Sequence, residues 1–260
     1  MDLAALFSLE GKIALVTGGT QGIGFMIAEG LVGAGARVIV CGRRQADAHE
    51  AELSLGRERC RALLVDLGEA DGPARLIEGV KAETDRLHIL VNNAGTGWSA
   101  ALGAFPRRGF EKVLQLNLMA PFELIQQALP LLEAAASADD PARIINIASV
   151  DGLRPPLAET YSYSASKAGM LMLARHLGAH LVGRNITVNV IAPGLFETRL
   201  SAHMFDPSHP RAGDRPDIPL GRPGRAEDVA GAAIYLASRA GAYLTGVTLP
   251  VAGGIGTVDQ

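Results

Sequence analysis

Two residues of this chain, Tyr163 and Lys167, have the types and spacing needed to handle a proton. They lie in the segment Tyr161-Ser-Tyr-Ser-Ala-Ser-Lys167, and a four-residue spacing on an α-helix places both side chains on one face. A nearby ammonium favours the phenolate and lowers a tyrosine pKa from about 10 toward neutral pH. Tyr161 is excluded from this role because the residue four positions after it is Ala165. By itself the pair is also compatible with a chance meeting on a solvated helix.

A glycine-rich segment has the pattern of a phosphate-binding loop. Thr17-Gly-Gly-Thr-Gln-Gly-Ile-Gly24 follows a short apolar run and precedes an apolar helical pattern. Gly18, Gly22 and Gly24 permit a tight turn and a close approach of backbone to a pyrophosphate, which the first amides of the helix would bind. The spacing G-x-x-x-G-x-G is a variant of the general dinucleotide fingerprint G-x-G-x-x-G. A glycine turn without a ligand is the alternative.

Two arginines indicate which nucleotide this loop would bind. An acidic residue about 20 positions after the loop would bind the ribose 2′-hydroxyl of NAD, but that region reads Val40-Cys-Gly-Arg-Arg44. Guanidinium groups bind phosphate oxygens in charge-assisted pairs, so Arg43 and Arg44 predict NADP(H). The alternative is that both arginines are solvated charges at a helix entry.

Two further strand ends carry residues suited to a bound nucleotide. Asp66 and Leu67 follow the third apolar run, where the carboxylate would accept a hydrogen bond from an adenine amino group. Asn92-Asn-Ala-Gly95 closes the fourth run with small residues that would lie against the cofactor. Both segments are also compatible with ordinary turn chemistry, which favours Asx and glycine at strand ends.

Composition and charge exclude several classes of protein. A net charge of −3 and a pI near 6.1 give no basic footprint for nucleic acid, and 48% hydrophobic residues argue against disorder. The first 12 residues lack a basic leader, and no stretch offers about 18 uninterrupted apolar residues, so we expect neither a signal peptide nor a membrane span. The sequence therefore predicts a cytoplasmic protein with a small-molecule partner.

Cysteine and histidine usage predicts neither a disulfide framework nor a metal site. Cys41 and Cys60 have no zinc-ligand spacing and are expected to be free thiols. His176 and His180 lie four residues apart, but the glutamate of H-E-x-x-H and a third ligand are missing. We interpret them as histidines on a helix surface.

Strand-like and helix-like segments alternate along the chain. Short aliphatic runs predict buried strands at Ile13 to Val16, Val38 to Cys41, Leu63 to Val65, Ile89 to Val91, Ile144 to Ile147, Thr187 to Ile191 and Val247 to Val251. Helical periodicity marks Ile23 to Val32, Gly109 to Leu132, Tyr163 to Val182 and Ala226 to Ser238. We therefore predict an α/β fold: a Rossmann-like, doubly wound parallel sheet in three layers, α/β/α, as a single domain over residues 1–260.

Two irregular segments are expected to border a ligand site. Residues 195–225 contain several prolines and little periodicity beyond a short helix near Leu200 to Phe205. They follow a strand end, where ligands bind in open α/β sheets, so we predict a substrate lid over a surface insertion. Asp151 to Thr160, just before the Tyr163 helix, would form another wall of the same pocket.

Taken together, these motifs resemble the short-chain dehydrogenase/reductase family over essentially the whole chain. The matching segments, in order, are Thr17 to Gly24, Asn92 to Gly95, Asn117, Ser149, Tyr163 with Lys167, and Pro193-Gly194. A closer likeness is to the β-ketoacyl (3-oxoacyl) reductases, particularly the rhamnolipid-associated branch. That likeness lies in Asn92 to Trp98, Glu111 to Leu132, Pro141 to Ile147 and Ala242 to Gly246.

The resemblance implies a role for each catalytic candidate. Tyr163 would protonate the carbonyl oxygen as hydride arrives from the nicotinamide, and Lys167 would lower the pKa of the tyrosine and bind the nicotinamide ribose. Ser149 would hold the substrate oxygen, and Asn117 would place a water that relays protons to Lys167. These roles are chemically coherent, because hydride transfer needs an oriented carbonyl, a proton donor and a way to replace the proton.

The resemblance also implies which residues bind the cofactor. They are Gly18, Thr20, Gly22, Ile23, Gly24, Arg43, Arg44, Asp66, Leu67, Asn93, Ala94, Gly95, Tyr163, Lys167, Pro193, Gly194 and Thr198. Two departures from the family pattern affect substrate and assembly: Ala252 stands where many relatives carry aspartate, and the loop after Phe196 is rich in histidine and proline.

The expected activity is reduction of a ketone to a secondary alcohol, with a 3-oxoacyl thioester as the leading substrate. An apolar substrate pocket supports an acyl chain, and its candidate residues are Trp98, Leu153, Leu157, Leu195, Phe196 and Met204. A sugar, polyol or hydrophobic cyclic ketone is the second substrate class. A nucleotide sensor without catalysis is a remote alternative, because it would be expected to lack Tyr163, Lys167 or Ser149. The family further implies a homotetramer or homodimer built on the long helices and the last strand.

Overall fold

The computed structural model of this chain describes residues 1–209 and 216–258. Its strands are β1 (Ile13–Thr17), β2 (Arg37–Gly42), β3 (Cys60–Leu64), β4 (Ile89–Asn92), β5 (Ala142–Ile147), β6 (Ile186–Pro193) and β7 (Thr248–Val251). They form one parallel sheet in the order β3-β2-β1-β4-β5-β6-β7. The predicted Rossmann-like fold is confirmed.

Helices connect successive strands and cover both faces of the sheet. They are α1 (Leu3–Phe7), α2 (Gly22–Gly33), α3 (Gln45–Leu55), α4 (Gly72–Glu83), α5 (Arg107–Leu114), α6 (Ala120–Ala135), α7 (Tyr161–Leu181) and α8 (Ala226–Ala237). Helices α4, α6 and α7 share one core cluster, while α2, α3 and α8 share the other. Within β1, Leu15 faces the first cluster and Ala14 and Val16 face the second. Burial on both faces explains the continuous apolar runs of the sequence.

The order of the strands positions a crevice. From β1 the chain builds outward to β2 and β3, then returns to place β4 on the other side of β1. The connections after β1 and β4 therefore leave in opposite directions at the carboxyl edge. Open α/β sheets bind ligands at such a reversal, and the glycine-rich loop follows β1.

Strand β3 and the long helical segment before β5 differ from the sequence-based expectation. Strand β3 begins at Cys60 rather than Leu63. The first residues of the strand were not expected, because Arg61, which pairs with Ile39 at the sheet edge, interrupts the apolar pattern used to predict strands. The helix expected over 109–132 begins at Arg107 and contains a π-helical turn, Gln115–Met119, before α6. Within residues 1–209 and 216–258, no helix is long and apolar enough to cross a membrane.

Candidate active site

The glycine-rich loop between β1 and α2 has a backbone that requires glycine. Gly18 and Gly22 have φ of 63° and 56°, the left-handed region that L-residues seldom adopt. A Cβ on Gly24 would lie 2.3 Å from the carbonyl oxygen of Gly18, so the loop closes tightly on the first turn of α2. The loop therefore presents backbone amides, at a helix N-terminus, to the crevice.

Asn93, at the carboxyl end of β4, fixes this loop. Its side-chain amide donates to the carbonyl oxygens of Thr17 at 2.9 Å and Gly18 at 3.3 Å. In return, the Thr17 hydroxyl accepts from the backbone amides of Asn93 and Ala94, at 2.9 and 3.0 Å. The two strand ends that flank the crevice are thus joined by hydrogen bonds through residues predicted to contact the cofactor.

The nucleotide-selecting residues cluster at the carboxyl ends of β2 and β3. Arg43 lies 3.5 Å from the Asp66 carboxylate, and both side chains are exposed. Thr20 packs against Gly42, where an added Cβ would lie 2.4 Å from the Thr20 hydroxyl oxygen. Arg44 is also exposed, and its Nε lies 3.6 Å from Asp47 on α3. The exposed guanidinium groups of Arg43 and Arg44 are therefore available to bind a phosphate beside the loop. Leu67 is buried in the core.

Helix α7 presents Tyr163 and Lys167 to the same crevice. Lys167 is 95% buried, since only 5% of its surface is exposed, and its Nζ donates to the Ile147 carbonyl at the end of β5, at 2.8 Å. The same Nζ lies 5.6 Å from the centroid of the Tyr163 ring. Helix α7 packs closely against the turn at Gly152, where an added Cβ would lie 2.7 Å from the Lys167 backbone. The absence of a side chain at Gly152 allows this close approach.

The pKa values of the pair differ from the expectation drawn from spacing. Burial raises the pKa of Tyr163 to about 12; a hydrogen bond with Ser149 lowers it and the charge of Asp151 raises it. Burial also lowers the pKa of Lys167 to about 8. The pKa of Tyr163 is raised, opposite to the lowering expected from Lys167, because loss of hydration on burial is the largest influence on the phenol. Tyr163 is protonated at neutral pH.

Ser149 and Asn117 surround this pair. Ser149 is buried, and it lies close enough to Tyr163 to lower the pKa of the phenol. The Asn117 side chain donates to the Thr96 carbonyl at 2.9 Å and to Ser166 at 3.0 Å, and it accepts from the Thr96 amide at 2.8 Å. Asn117 lies in the π-helical turn. Pro121, four residues on, has no N–H, so the Asn117 carbonyl lacks its α-helical donor.

Two cavities meet at Tyr163. A cleft of about 210 Å³ lies over the glycine-rich loop and is bordered by Lys167. A second cavity of about 250 Å³ lies beyond it. Both are lined by Ile23, Tyr163, Gly194, Thr198 and Leu200. The phenol therefore stands on the wall shared by a glycine-lined cleft and an adjoining pocket.

The cleft fits the nicotinamide dinucleotide that its motifs predict. Its lining includes Gly18, Gly22, Asn93, Ala94, Gly95 and Pro193. A Cβ on Gly95 would lie 3.3 Å from Asn117 Oδ1 and 3.7 Å from Lys167 Nζ, so a glycine here brings the chain close to both side chains at the floor of the cleft. The glycine cradle and the buried ammonium suit the phosphates and ribose hydroxyls of such a cofactor.

The larger cavity contains most of the predicted substrate pocket. Five of the six candidates line it: Trp98, Leu157, Leu195, Phe196 and Met204. Leu153 lies outside the lining and is exposed. It follows a short 3₁₀ turn, Val150–Gly152, whose first two residues face the cavity instead.

Several residues of this lining were not named individually from the sequence, among them Asp151, Arg154 and Ile255. The first two lie in the irregular segment expected to form a wall, but their polar character gave no reason to select them. Ile255 comes from the chain end and is buried beside Val150 and Leu195. Only the tertiary fold brings it there.

The segment after β6 covers both cavities. Thr198, Leu200 and Met204 line them, and Phe196 forms an isolated parallel bridge with Gly224. Arg199 makes a bidentate ion pair with Asp47 at 2.8 and 3.2 Å and also donates to Gln21. The helix expected near 200–205 is a 3₁₀ turn, Ala202–Met204. Of the predicted lid, residues 210–215 lie outside the described ranges.

Comparison with known proteins identifies similar sequences and structures. Residues 12–208 match the family described as short chain dehydrogenase. The chain is 49% identical to a rhamnolipids biosynthesis 3-oxoacyl-[acyl-carrier-protein] reductase of Pseudomonas aeruginosa, over 95% of this chain and 97% of that protein.

Solved structures of oxidoreductases are similar to this chain over nearly its whole length. A Pseudomonas aeruginosa RhlG/NADP active-site complex superimposes with a TM-score of 0.92 at 48% identity, covering 97% of this chain and 99% of that one. A gluconate 5-dehydrogenase from Burkholderia cenocepacia, in complex with NADP and tartrate, gives a TM-score of 0.87 at 31% identity, covering 99% and 100%.

Proposed function

This chain belongs to the short-chain dehydrogenase family, and we propose that it is an NADPH-dependent reductase that converts the ketone of a 3-oxoacyl thioester into a secondary alcohol. The observation that carries the proposal is the position of Tyr163, on the wall shared by a glycine-lined cleft and an apolar pocket. A proton donor at such a junction reaches a carbonyl placed against the cofactor.

The cleft binds NADP(H) through three groups of residues. Backbone amides of the loop at Gly18, Gly22 and Gly24 hold the pyrophosphate, and Arg43 and Arg44 hold the 2′-phosphate. The remaining contacts come from Thr20, Ile23, Asp66, Leu67, Asn93, Ala94, Gly95, Tyr163, Lys167, Pro193, Gly194 and Thr198. The bound nicotinamide supplies the hydride, which protein side chains cannot provide.

The side chains around Tyr163 orient the carbonyl and deliver the proton. Tyr163 donates its phenolic proton to the carbonyl oxygen, and Ser149 donates a second hydrogen bond to that oxygen. The pKa of Tyr163, about 12, keeps the donor protonated at neutral pH. The proton returns to Tyr163 through Lys167 and a water held at the Asn117 carbonyl.

The lining of the larger cavity favours an acyl chain. Trp98, Leu157, Leu195, Phe196 and Met204 give it an apolar wall suited to methylene groups. The relative at 49% identity is named for a 3-oxoacyl substrate. A sugar or polyol is the second candidate, because Asp151 and Arg154 add polar groups to the wall and a gluconate 5-dehydrogenase shares the fold. The described parts of the segment after β6, residues 195–209 and 216–225, act as a lid over the bound substrate in either case.

A competitive substrate panel tests this assignment. Purified protein would be mixed with acetoacetyl and longer 3-oxoacyl thioesters, 5-oxogluconate and a cyclic ketone, each with NADPH and with NADH, and oxidation followed by absorbance. We expect the highest kcat/KM for a 3-oxoacyl thioester with NADPH. Preferred reduction of 5-oxogluconate would replace the acyl assignment, and binding of NADPH without turnover of any substrate would point to a sensor.

We also propose a cytoplasmic homotetramer. Met119, Phe122 and Met172 expose apolar surface around α6 and α7, and apolar patches of this kind form subunit interfaces. Tyr243, just before β7, is fully exposed, which fits an interface that includes the last strand. The buried free thiols of Cys41 and Cys60 suit a reducing compartment.

A further inference from the structure

Two oppositely charged side chains stand in the largely apolar wall of the larger cavity, which also carries hydroxyl groups such as those of Ser99 and Thr160. Asp151 and Arg154 lie in the segment between β5 and α7, and both line the cavity together with Tyr163. Four neighbours in the same wall, Trp98, Leu157, Phe196 and Ile255, carry no charge, so Asp151 and Arg154 have only each other as charged neighbours among the described lining residues. Polar groups are seldom placed in an apolar pocket unless a ligand uses them.

Arg154 is held in place but is poorly hydrogen-bonded. Its aliphatic chain packs against Gly256, where φ is 67° and an added Cβ would lie 2.7 Å from Arg154 Cδ. Its Nη1 reaches only the Pro155 carbonyl, at a long 3.5 Å. Its Nε is buried and has no hydrogen-bond partner among the described residues. A guanidinium fixed in this way requires an acceptor.

Asp151 is tied to the catalytic residues and offers the complementary group. Its backbone amide donates to the Ser149 hydroxyl at 3.1 Å. Its carboxylate lies close enough to Tyr163 to raise the pKa of the phenol. Burial raises the pKa of Asp151 itself, while the charge of Arg154 lowers it. A donor and an acceptor therefore stand three residues apart beside the reacting carbonyl.

We propose that Asp151 and Arg154 form a subsite for a secondary amide in the thioester arm of the substrate. The Asp151 carboxylate accepts the amide N–H, and the Arg154 guanidinium donates to the amide carbonyl. This inference rests on the proposed function, because the pantetheine arm of an acyl-carrier or coenzyme A thioester contains two secondary amides on the sulfur side of the acyl group.

The charges of the pair select this class of ligand over others. An anionic group attracted by Arg154 would be repelled by Asp151, and a cationic group attracted by Asp151 would be repelled by Arg154. An alkyl chain would leave both groups desolvated without a partner. A neutral trans amide carries one donor and one acceptor on opposite edges, so an amide that lies between Asp151 and Arg154 satisfies both residues.

Three thioesters of one 3-oxoacyl chain test the subsite. The first is the N-acetylcysteamine thioester, which has one secondary amide; the second replaces its N–H by an ester oxygen; the third is an alkyl thioester of the same length. Steady-state kinetics with NADPH would be measured for wild type, Asp151→Ala and Arg154→Met. The control is Leu153→Ala, in the same segment but outside the cavity.

We expect wild type to prefer the amide over the ester by about tenfold in kcat/KM, through a lower KM. Asp151→Ala removes that preference, and Arg154→Met lowers kcat/KM for amide and ester alike but not for the alkyl thioester. Leu153→Ala behaves as wild type. Equal loss for all three thioesters in both variants would indicate a structural role and overturn the inference.

Two further outcomes separate this inference from the proposed function. If wild type reduces all three thioesters with equal kcat/KM, the proposed amide subsite is wrong while the proposed function stands. This comparison uses wild type alone, so it tests the subsite even if a variant fails to bind NADPH. If wild type reduces none of them, the proposed function fails as well.

Discussion

Tyr163 works in surroundings that keep its proton in place until a substrate arrives. Burial is the largest influence on its pKa, which lies at about 12, and the same loss of hydration lowers the pKa of Lys167 to about 8. A protonated phenol is the form that ketone reduction requires, while a lysine near pKa 8 exchanges protons readily at physiological pH. At neutral pH the phenol is therefore in the protonated form that the reduction step uses.

The pKa of Lys167 makes a prediction about stability. Because this pKa falls from 10.5 in the unfolded chain to about 8 in the fold, the unfolded state binds more protons between those values. The buried ammonium therefore destabilises the fold fully below pH 8, and this penalty disappears as pH rises toward 10.5. Relative to Lys167→Met, wild type should gain on the order of 3 kcal/mol in its free energy of unfolding across that window.

Denaturant unfolding of both proteins at pH values from 7 to 10.5 would measure this gain. Tyr163 is present in both proteins, so its own titration largely cancels in the difference. A difference that does not change with pH would mean that the lysine pKa is not lowered by burial.

Arg43 makes a prediction about cofactor choice. Replacing it with aspartate puts a negative charge where the 2′-phosphate would bind, so Arg43→Asp should raise the KM for NADPH at least about tenfold and change the KM for NADH little. Arg86→Asp provides the control, because Arg86 is also exposed but lies before β4, away from the carboxyl edge. Equal KM values for NADPH in both variants and wild type would remove Arg43 from the cofactor site.

At the scale of elements, an ion pair ties the segment after β6 to the nucleotide half of the fold. Asp47 on α3 is buried, and its bidentate contact with Arg199 spans 152 residues of sequence. The hydrogen bond from Arg199 is the main reason that the pKa of Asp47 is lowered. Arg199 also reaches Gln21, at the entry of α2. The segment that we propose as a lid and the glycine-rich loop are therefore physically connected.

Breaking this connection should loosen the lid. Asp47→Asn removes the charge of the pair, and we expect chymotrypsin to cleave between Leu200 and Phe205 several-fold faster than in wild type. The control is Glu52→Gln, which lies on the same helix but pairs with Arg61. Cleavage at the wild-type rate in Asp47→Asn would show that the ion pair does not hold the segment.

Elements were predictable where local pattern alone determines them. Buried strands such as β5 and β6 are rich in isoleucine and valine, so their positions were expected to within a few residues. Helix α3 was not identified because it is mostly polar and buries little beyond Ala48, Ala51 and Leu55. The π-helical turn interrupts the helix expected over 109–132, and Pro121 was its only sequence signal.

At the scale of the whole molecule, apolar side chains remain on the outer surface of the long helices. Met172 on α7 is 63% exposed, and Phe122 on α6 is 38% exposed. A glutamate at Met172 would place a charge in the proposed interface, so Met172→Glu should convert the tetramer into smaller species.

Light scattering after size exclusion measures this directly, against a chain mass of 27.1 kDa. Leu53→Glu is the matched control, because Leu53 is also exposed but lies on α3. A wild-type mass equal to one chain, or dissociation of both variants, would contradict the proposed assembly.

The whole fold also explains which parts of the site could be expected from the sequence. Tyr163 and Lys167 share one turn of α7, and the glycine loop is a continuous segment, so local spacing was sufficient. Asp151 and Arg154 could not be selected as ligand contacts from the sequence, because their position in the cavity wall is seen only in the folded structure. Ile255 reaches the cavity from the chain end, a contact between segments about 100 residues apart that no local pattern encodes.

The most direct test of the account is the Tyr163→Phe variant assayed with NADPH and a 3-oxoacyl thioester. Because the ring is kept and only the hydroxyl is lost, NADPH binding followed by fluorescence should stay within a few-fold of wild type, while kcat falls by about 10² to 10⁴. Turnover within a few-fold of wild type, with NADPH still bound, would contradict the assignment of Tyr163 as the proton donor.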